Sequence, residues 1–249
     1  MDKLVYTAIS GLRGHMSSQA AIANNIANAS TIGFRADRVV FDRLEMKGPG
    51  FDSRSPTSEE VTDFDRRAGT IMQTGRALDV AMIGADSWLG VQATDGSEAY
   101  TRRGDLSVSA SGVLETGDGF PVMGSGGPIT IPPAESVSIA DDGSISIVPV
   151  GGDRNNPQVI DKLKLVSVTG SNTKKGLDNL LHVVGGGTLP QDLDAKVGAN
   201  SLEGSNVNLT QALVDMIENQ RSYEVQANML KEAKDIDQGG ASLMRMPGA

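Results

Sequence analysis

Near the start of the chain, apolar or small side chains fall at Val5, Ile9, Leu12, Met16, Ala23 and Ile26, with Gln19 filling the one gap in an alternating spacing of four and three. That spacing draws a heptad stripe along one side of an α-helix. No proline interrupts before Pro49, and Gly33 after Thr31 and Ile32 supplies a stop, so the pattern predicts a helix over residues 3–29. Ala20, Ala21, Ala23 and Ala27 allow another helix to approach closely. A stripe so poor in large side chains stabilises an isolated helix weakly, so this one needs a partner.

The far end repeats the alternation at Leu209, Leu213, Met216, Gln220, Tyr223, Ala227 and Leu230, before it fades at Lys234 and Asp237. Asn208 with Gln211 three residues on forms a capping-box pattern at the start, and Gly239 and Gly240 mark the expected stop. Val214 and Ile217 widen the apolar face beyond one seam. An intramolecular pair of helices accounts for the periodicity, and the wider face leaves room for a second neighbour.

Between the two helices the period changes. Residues 46–76 are polar, with Gly48, Pro49, Gly50, Ser53, Ser55, Pro56 and Ser58 among them, and read as extended linker. From Leu78 to Asn200 short β-type runs alternate with turn residues. Val137 and Ile139, then Asp141, Asp142 and Gly143, then Ile145 and Ile147, form a hairpin pattern. Thr94 to Gly96, Gly117 to Gly119 and Gly124 to Gly127 are further turns; Leu163, Leu165 and Val168 add a strand, with Gly185, Gly186 and Gly187 looping after it. The expected fold is α+β: a coiled-coil-like pairing of N- and C-terminal helices (1–30 plus 205–249), an extended linker (31–76) and a central all-β domain (77–204).

Composition narrows the function. Aromatics make up 4% and glycines number 30, which favours turn-rich β structure over a dense aromatic core. The net charge of −9 and the lack of Lys/Arg strung among aromatics exclude a nucleic-acid groove. Residues 1–47 hold six Lys/Arg against four Asp/Glu, and residues 201–249 hold four against seven, a weak bias toward pairing of the termini. The chain has no Cys, which removes disulfides, thiolate metal sites and Cys nucleophiles. No window approaches the roughly 20 apolar residues that span a bilayer. Asp2, Arg13 and His15 stand where a cleavable secretory segment would need apolar residues, so none is expected.

Catalytic constellations are missing. His15 and His182 are lone imidazoles, in a predicted helix and a predicted strand, without nearby acidic ligands. The glycines at 185–187 lack the Lys-Ser/Thr ending of a phosphate loop, and no Gly-x-Ser-x-Gly elbow occurs. Asp141, Asp142 and Gly143 lack the alternating ligands and distal Glu of a calcium loop. The expectation is a non-enzyme without metal, cofactor or small-molecule substrate.

Several blocks carry a resemblance. Asn24-Asn25-Ile26-Ala27-Asn28-Ala29-Ser30-Thr31-Ile32-Gly33-Phe34-Arg35 is similar to the N-terminal signature of the flagellar rod and hook proteins. Gly75-Arg76-Ala77-Leu78-Asp79-Val80-Ala81, Tyr100-Thr101-Arg102-Arg103-Gly104-Asp105-Leu106 and Gly117-Asp118-Gly119-Phe120-Pro121-Val122 resemble that family's β module. Glu203-Gly204-Ser205-Asn206-Val207 and Met216-Ile217-Glu218-Asn219-Gln220-Arg221-Ser222-Tyr223-Glu224 resemble its C-terminal signature. The opening Met1 to Ala8, Trp88-Leu89 and the overall length look most like the proximal-rod branch, with the distal-rod branch as the alternative; Ala85-Asp86-Ser87 departs from the family's usual Gly-Asp-Gly.

The resemblance implies a structural subunit exported by the flagellar type III apparatus through an uncleaved N-terminal region. It would polymerise in the periplasm with copies of itself and other rod proteins near the membrane-ring end of the basal body, and there transmit torque. It further implies that Ile9, Leu12, Met16, Ile26, Leu213, Met216, Gln220, Tyr223 and Leu230 serve helical assembly, with Asn24, Asn25 and Asn28 making contacts at the helix end. A secreted β-domain binding module with the helices as a stalk is the reading from another class, and one Trp with three Tyr gives it little support.

Overall fold

The computed structural model describes the backbone of residues 2–43 and 57–244 and the side chains of 7–40 and 64–240. Gly48, Pro49, Gly50, Ser53, Ser55 and Pro56, on which the linker expectation rested, lie outside the described residues, as does the side chain of Val5. The chain divides into two compact units: a helical unit (1–27, 37–63 and 208–249) and a β unit (28–36 and 64–207).

In the helical unit, helix α1 (Asp2–Ala27) packs against helix α2 (Leu209–Met244), and the strand Asp37–Arg43, paired with Thr57–Phe64, lies against α1. Part of the stretch expected as linker is therefore ladder. Asn208 caps α2 through its side-chain oxygen, which accepts from the Gln211 N–H at 3.2 Å. The Gln211 side chain turns forward to Asp215 (2.7 Å) instead of back to the cap, so only half of the capping box forms. Gly239 and Gly240 do not stop α2, which runs to Met244. Glycine costs about 1 kcal/mol in a helix interior relative to alanine, a penalty that lowers helicity without forbidding it.

In the β unit, a five-stranded sheet has the order Leu165–Ser167, Ser87–Gln92, Glu98–Thr101, Leu181–Val183, Thr173–Lys175. Its strands carry apolar side chains on both faces. Leu89, Val91 and Leu165 join one buried cluster with Val80, Leu106 and Ile145. Trp88 and Val166, one residue over, join another with Phe64, Tyr100 and Leu181, as the two-residue period of a strand requires. The Tyr100 hydroxyl donates to Glu98 (2.9 Å) and accepts the Leu189 N–H (2.6 Å), and burial pushes its pKa up.

The predicted hairpin is present. Ala134–Ile139 pairs antiparallel with Ser144–Pro149, setting Ile145 against Ile139 and Ile147 against Val137 across the Asp-Asp-Gly turn. The strand Gln158–Lys162 extends it on the other side. Short pairs join Ile71–Gln73 to Ser201–Glu203 and Val80–Met82 to Val197–Ala199, so segments expected in the linker and at the end of the β domain close on each other.

Candidate assembly surface

The helices α1 and α2 run antiparallel, since Gln226 donates to the Ala8 carbonyl (3.3 Å) while Asn219 meets His15 and Gln19. Gly11 lets α2 come close: a Cβ there would stand 2.3 Å from Gln226 Nε2. The half-buried positions on α1 include Ala8, Leu12, His15, Gln19, Ile22 and Ile26, and those on α2 include Ala212, Met216, Asn219, Gln226, Leu230 and Ala233. With Tyr223, 37% exposed, between Asn219 and Gln226, each row keeps a four-and-three spacing.

This seam overlaps the predicted one but is rotated from it. Leu12, Gln19, Ile26, Met216, Tyr223 and Leu230 belong to both rows, whereas Ile9 (41% exposed), Met16 (61%) and Leu213 (46%), expected in the helical core, are open to solvent. Leu209 and Ile217 (67%) are exposed as well. The reason is chemical: reading apolar residues alone passes over His15, Asn219 and Gln226, whose amides and imidazole fill the actual seam. The polar Gln19, at a predicted seam position that is also in the actual seam, was a sequence signal of that.

Two grooves flank the helix pair. One, of about 450 Å³, is lined by Met16, Ala20, Ala23, Gln220 and Tyr223. The other, of about 550 Å³, is lined by Thr7, Ala8, Val225, Met229 and Leu230. Gln220 is exposed and hydrogen-bonds Glu224 within its own helix (3.3 Å). Among the described residues of this unit none but Gly14 is fully buried, so their side chains form no closed core.

The asparagines at the end of α1 bond within the chain. Asn25 takes the Asp37 N–H (2.7 Å) and donates to the Asp37 carbonyl (2.9 Å), as one strand residue would to another, and Asn24 donates to the Asp37 carboxylate (2.5 Å). They fasten the strand Asp37–Arg43 to the helix. In the β unit, Asn28 accepts the Thr31 N–H and hydroxyl, each at 3.1 Å, and so shapes the turn into Gly33.

Sequence motifs far apart in the chain meet at one buried carboxylate in the β unit. Glu203 Oε2 accepts from Arg102 Nε (2.7 Å), Oε1 accepts the Gly69 N–H (2.7 Å), and Arg35 Nη1 lies 2.6 Å from Oε1, off the hydrogen-bonding direction. Arg102 and Glu203 are each 1% exposed. Arg102 also donates to the carbonyls of Met82, Gly84 and Ser87, which ties the turn entering the Ser87–Gln92 strand. Burial lowers the Arg102 pKa, Glu203 opposes the shift, and an arginine remains charged at any ordinary pH. Gly33 donates to the Glu203 carbonyl (2.7 Å) at φ +69°, where a Cβ would stand 2.4 Å from the Arg102 backbone. Asn206 accepts the Ala36 N–H (2.7 Å) and donates to the carbonyls of Asp65 and Arg67 (2.9 Å each). The motifs are thus the joints of the fold. The sequence singled them out without showing that Arg35, Arg102 and Glu203 touch.

His182 contacts Asp178 at 3.0 Å, and among the described residues no three His, Asp or Glu side chains are placed to hold a metal. No described helix is long and apolar enough to cross a membrane.

Comparison with known proteins accounts for the motifs. The family described as "Flagella basal body rod protein" matches residues 5–35, "Flagellar hook protein FlgE/F/G D1 domain" matches 82–147, and "Flagellar basal body rod FlgEFG protein C-terminal" matches 199–243. The chain is 37% identical to the flagellar basal-body rod protein FlgF of Escherichia coli K12, over 94% of this chain and 95% of that one. It is 35% identical to FlgF of Salmonella typhimurium LT2 (99% and 100%) and 32% identical to the rod protein FlgG of Bacillus subtilis 168 (98% and 100%). With such identity over nearly its whole length, and its N-terminal helix, β unit and C-terminal helix each matched in order, the chain belongs to the flagellar basal-body rod protein family.

Proposed function

We propose that this chain is a non-enzymatic, FlgF-like structural subunit of the proximal flagellar rod. It assembles in the periplasm near the membrane-ring end of the basal body, after export by the flagellar apparatus, and with other rod proteins it carries torque. The proximal position is supported by the FlgF chains of Escherichia coli and Salmonella typhimurium, 37% and 35% identical, against 32% for FlgG of Bacillus subtilis, and by the opening Met1 to Ala8 and Trp88-Leu89.

The observation that carries the reading is the open flank of the helical unit. Ile9, Met16, Leu209, Leu213 and Ile217 are exposed, Met16 lines a groove with Ala20 and Ala23, and no side chain described in this unit is fully buried. Burying such apolar surface contributes about 25 cal/mol per Å², and a helix of a neighbouring rod subunit supplies the missing cover. Ile9, Met16, Leu213, Gln220 and Tyr223 then meet the neighbour, and Leu12, Ile26, Met216 and Leu230 hold the pair that presents them. Asn24, Asn25 and Asn28 act by fixing the end of α1 and the turn after it.

Leu213→Asp tests this directly. Leu213 is half exposed in the single subunit, so the purified variant should keep its helicity and melting temperature, while its incorporation into basal bodies and swimming should be lost. Normal incorporation would refute the assembly role of this flank. To separate proximal from distal rod, an affinity tag at Gly126, an open turn position, would be used to map cross-links in purified basal bodies; links only to hook-side subunits would favour the distal-rod assignment.

A further inference from the structure

The centre of the seam between α1 and α2 holds amides and an imidazole where an antiparallel helix pair ordinarily places aliphatic side chains. Asn219 Oδ1 lies 2.7 Å from His15 Nδ1, and Asn219 Nδ2 donates to the His15 carbonyl and to Gln19 Oε1, each at 2.9 Å. Both amide hydrogens are thereby committed as donors to acceptors on α1, which leaves the oxygen to accept the His15 Nδ1 proton. Gln226, one heptad further along α2, repeats the device more weakly with a single bond to the Ala8 carbonyl at 3.3 Å.

We propose that Asn219, clasped by His15 and Gln19, determines the register in which α1 and α2 pair. The rest of the seam does not fix it. Sliding one helix by a heptad sets Leu12 against Leu230 and Ile26 against Met216, or in the other direction Leu12 against Met216, so the apolar side chains do not oppose a slip. The small residues Ala8, Ala212 and Ala233 accept either alignment. Asn219 does not: a slip of seven residues sets it opposite Ala8 or Ile22, neither of which has a side-chain partner to offer. The slipped pair would strand a half-buried amide. A polar group at one seam position excludes wrong registers at some cost in stability, the trade expected when a chain must pair its own helices correctly among copies carrying the same heptads. This inference concerns pairing within one chain and stands whether or not the open flank is the rod contact.

The chain has no cysteine, so introduced pairs report register cleanly. Ala8→Cys with Gln226→Cys marks the observed register, and Ala8→Cys with Ala233→Cys marks a slip of one heptad. Each pair is made in the full chain with Asn219 retained and with Asn219→Leu. The proteins are treated with a short bifunctional thiol reagent at a dilution where only intrachain links form, and helicity is followed by circular dichroism. With Asn219 present, the observed-register pair should link at least about tenfold faster than the slipped pair, a ratio within the usual coupling range of contacting groups. With Asn219→Leu the two rates should converge while helicity is kept or raised. Selective linking of the observed-register pair in Asn219→Leu would place the register determinant elsewhere. Loss of helicity together with both links would make Asn219 a stabilising contact rather than a register device. Either result overturns the proposal.

Discussion

Glu203 holds three separate stretches of the β unit through one carboxylate: Arg35 at the end of the N-terminal signature, the Gly69 amide, and Arg102 just after the Glu98–Thr101 strand. Its surroundings make its charge hard to replace. Two guanidiniums that are at most 2% exposed share it, and removing one member of a buried ion cluster strands the others, typically at about 3–5 kcal/mol. Glu203→Gln keeps the shape and deletes the charge, so it should lower the stability of the β unit by that amount in urea unfolding. Glu135→Gln, whose partner Arg154 is 82% exposed and 3.4 Å away, should change it by no more than roughly 0.5 kcal/mol. Gly33→Ala strikes the same joint through the backbone. It places a Cβ 2.4 Å from Arg102 backbone atoms at a left-handed φ, which costs more than the roughly 1–3 kcal/mol of ordinary backbone strain. Denaturation of this variant should show a loss at least that large. Equal stability would mean that the signature segment does not dock on Arg102.

At the scale of elements, legibility followed the range of the interactions that fix each one. The hairpin over 134–149 was readable because Asp141-Asp142-Gly143 sets its register locally: Gly143 adopts φ +83° and Asp142 accepts the Ser144 N–H at 3.0 Å, a bond that also lowers the pKa of that carboxyl. Both helices were readable from heptads and the Asn208 cap. The C-terminal stop was not, because Gly239 and Gly240 are a local signal overridden by continuing helix, and the space around both is open. Gly239→Ala with Gly240→Ala should therefore raise the helicity of the last turns of α2, with up to about 1 kcal/mol gained per site. Circular dichroism, and hydrogen exchange on that segment, measure this; unchanged or reduced helicity would mean the glycines serve a non-helical end. The short pairs Ile71–Gln73 with Ser201–Glu203 and Val80–Met82 with Val197–Ala199 were invisible in the sequence. Strands of three residues carry too few side chains for a two-residue period to register, and their partners lie at the other end of the β unit.

At the scale of the molecule, the two units are built on different terms. The β unit buries Val80, Leu89, Val91, Leu106, Leu165 and Val166 completely, whereas the described side chains of the helical unit, Gly14 apart, are half-buried or exposed. Sequence reading reached the division into helices and β structure, and it named apolar residues for assembly. It could not tell which of them face the chain's own partner helix, because a heptad stripe looks the same on either flank of a helix pair. Burial resolves that, and it sets an order of stability. Backbone hydrogen bonds beneath fully buried side chains open only with global unfolding, while those in a helix pair whose described side chains are half-buried or exposed open locally at much lower free energy. In the free subunit, amides of α1 and α2 should therefore exchange far faster than those of Leu89, Val91, Leu165 and Val166. In purified basal bodies the helical amides should gain protection while the β core barely changes. If the free helices already exchange as slowly as the sheet, the pair is self-sufficient, and the link between completing its core and joining the rod is wrong. If they stay fast in the assembled rod, the subunit is held by surfaces other than its terminal helices.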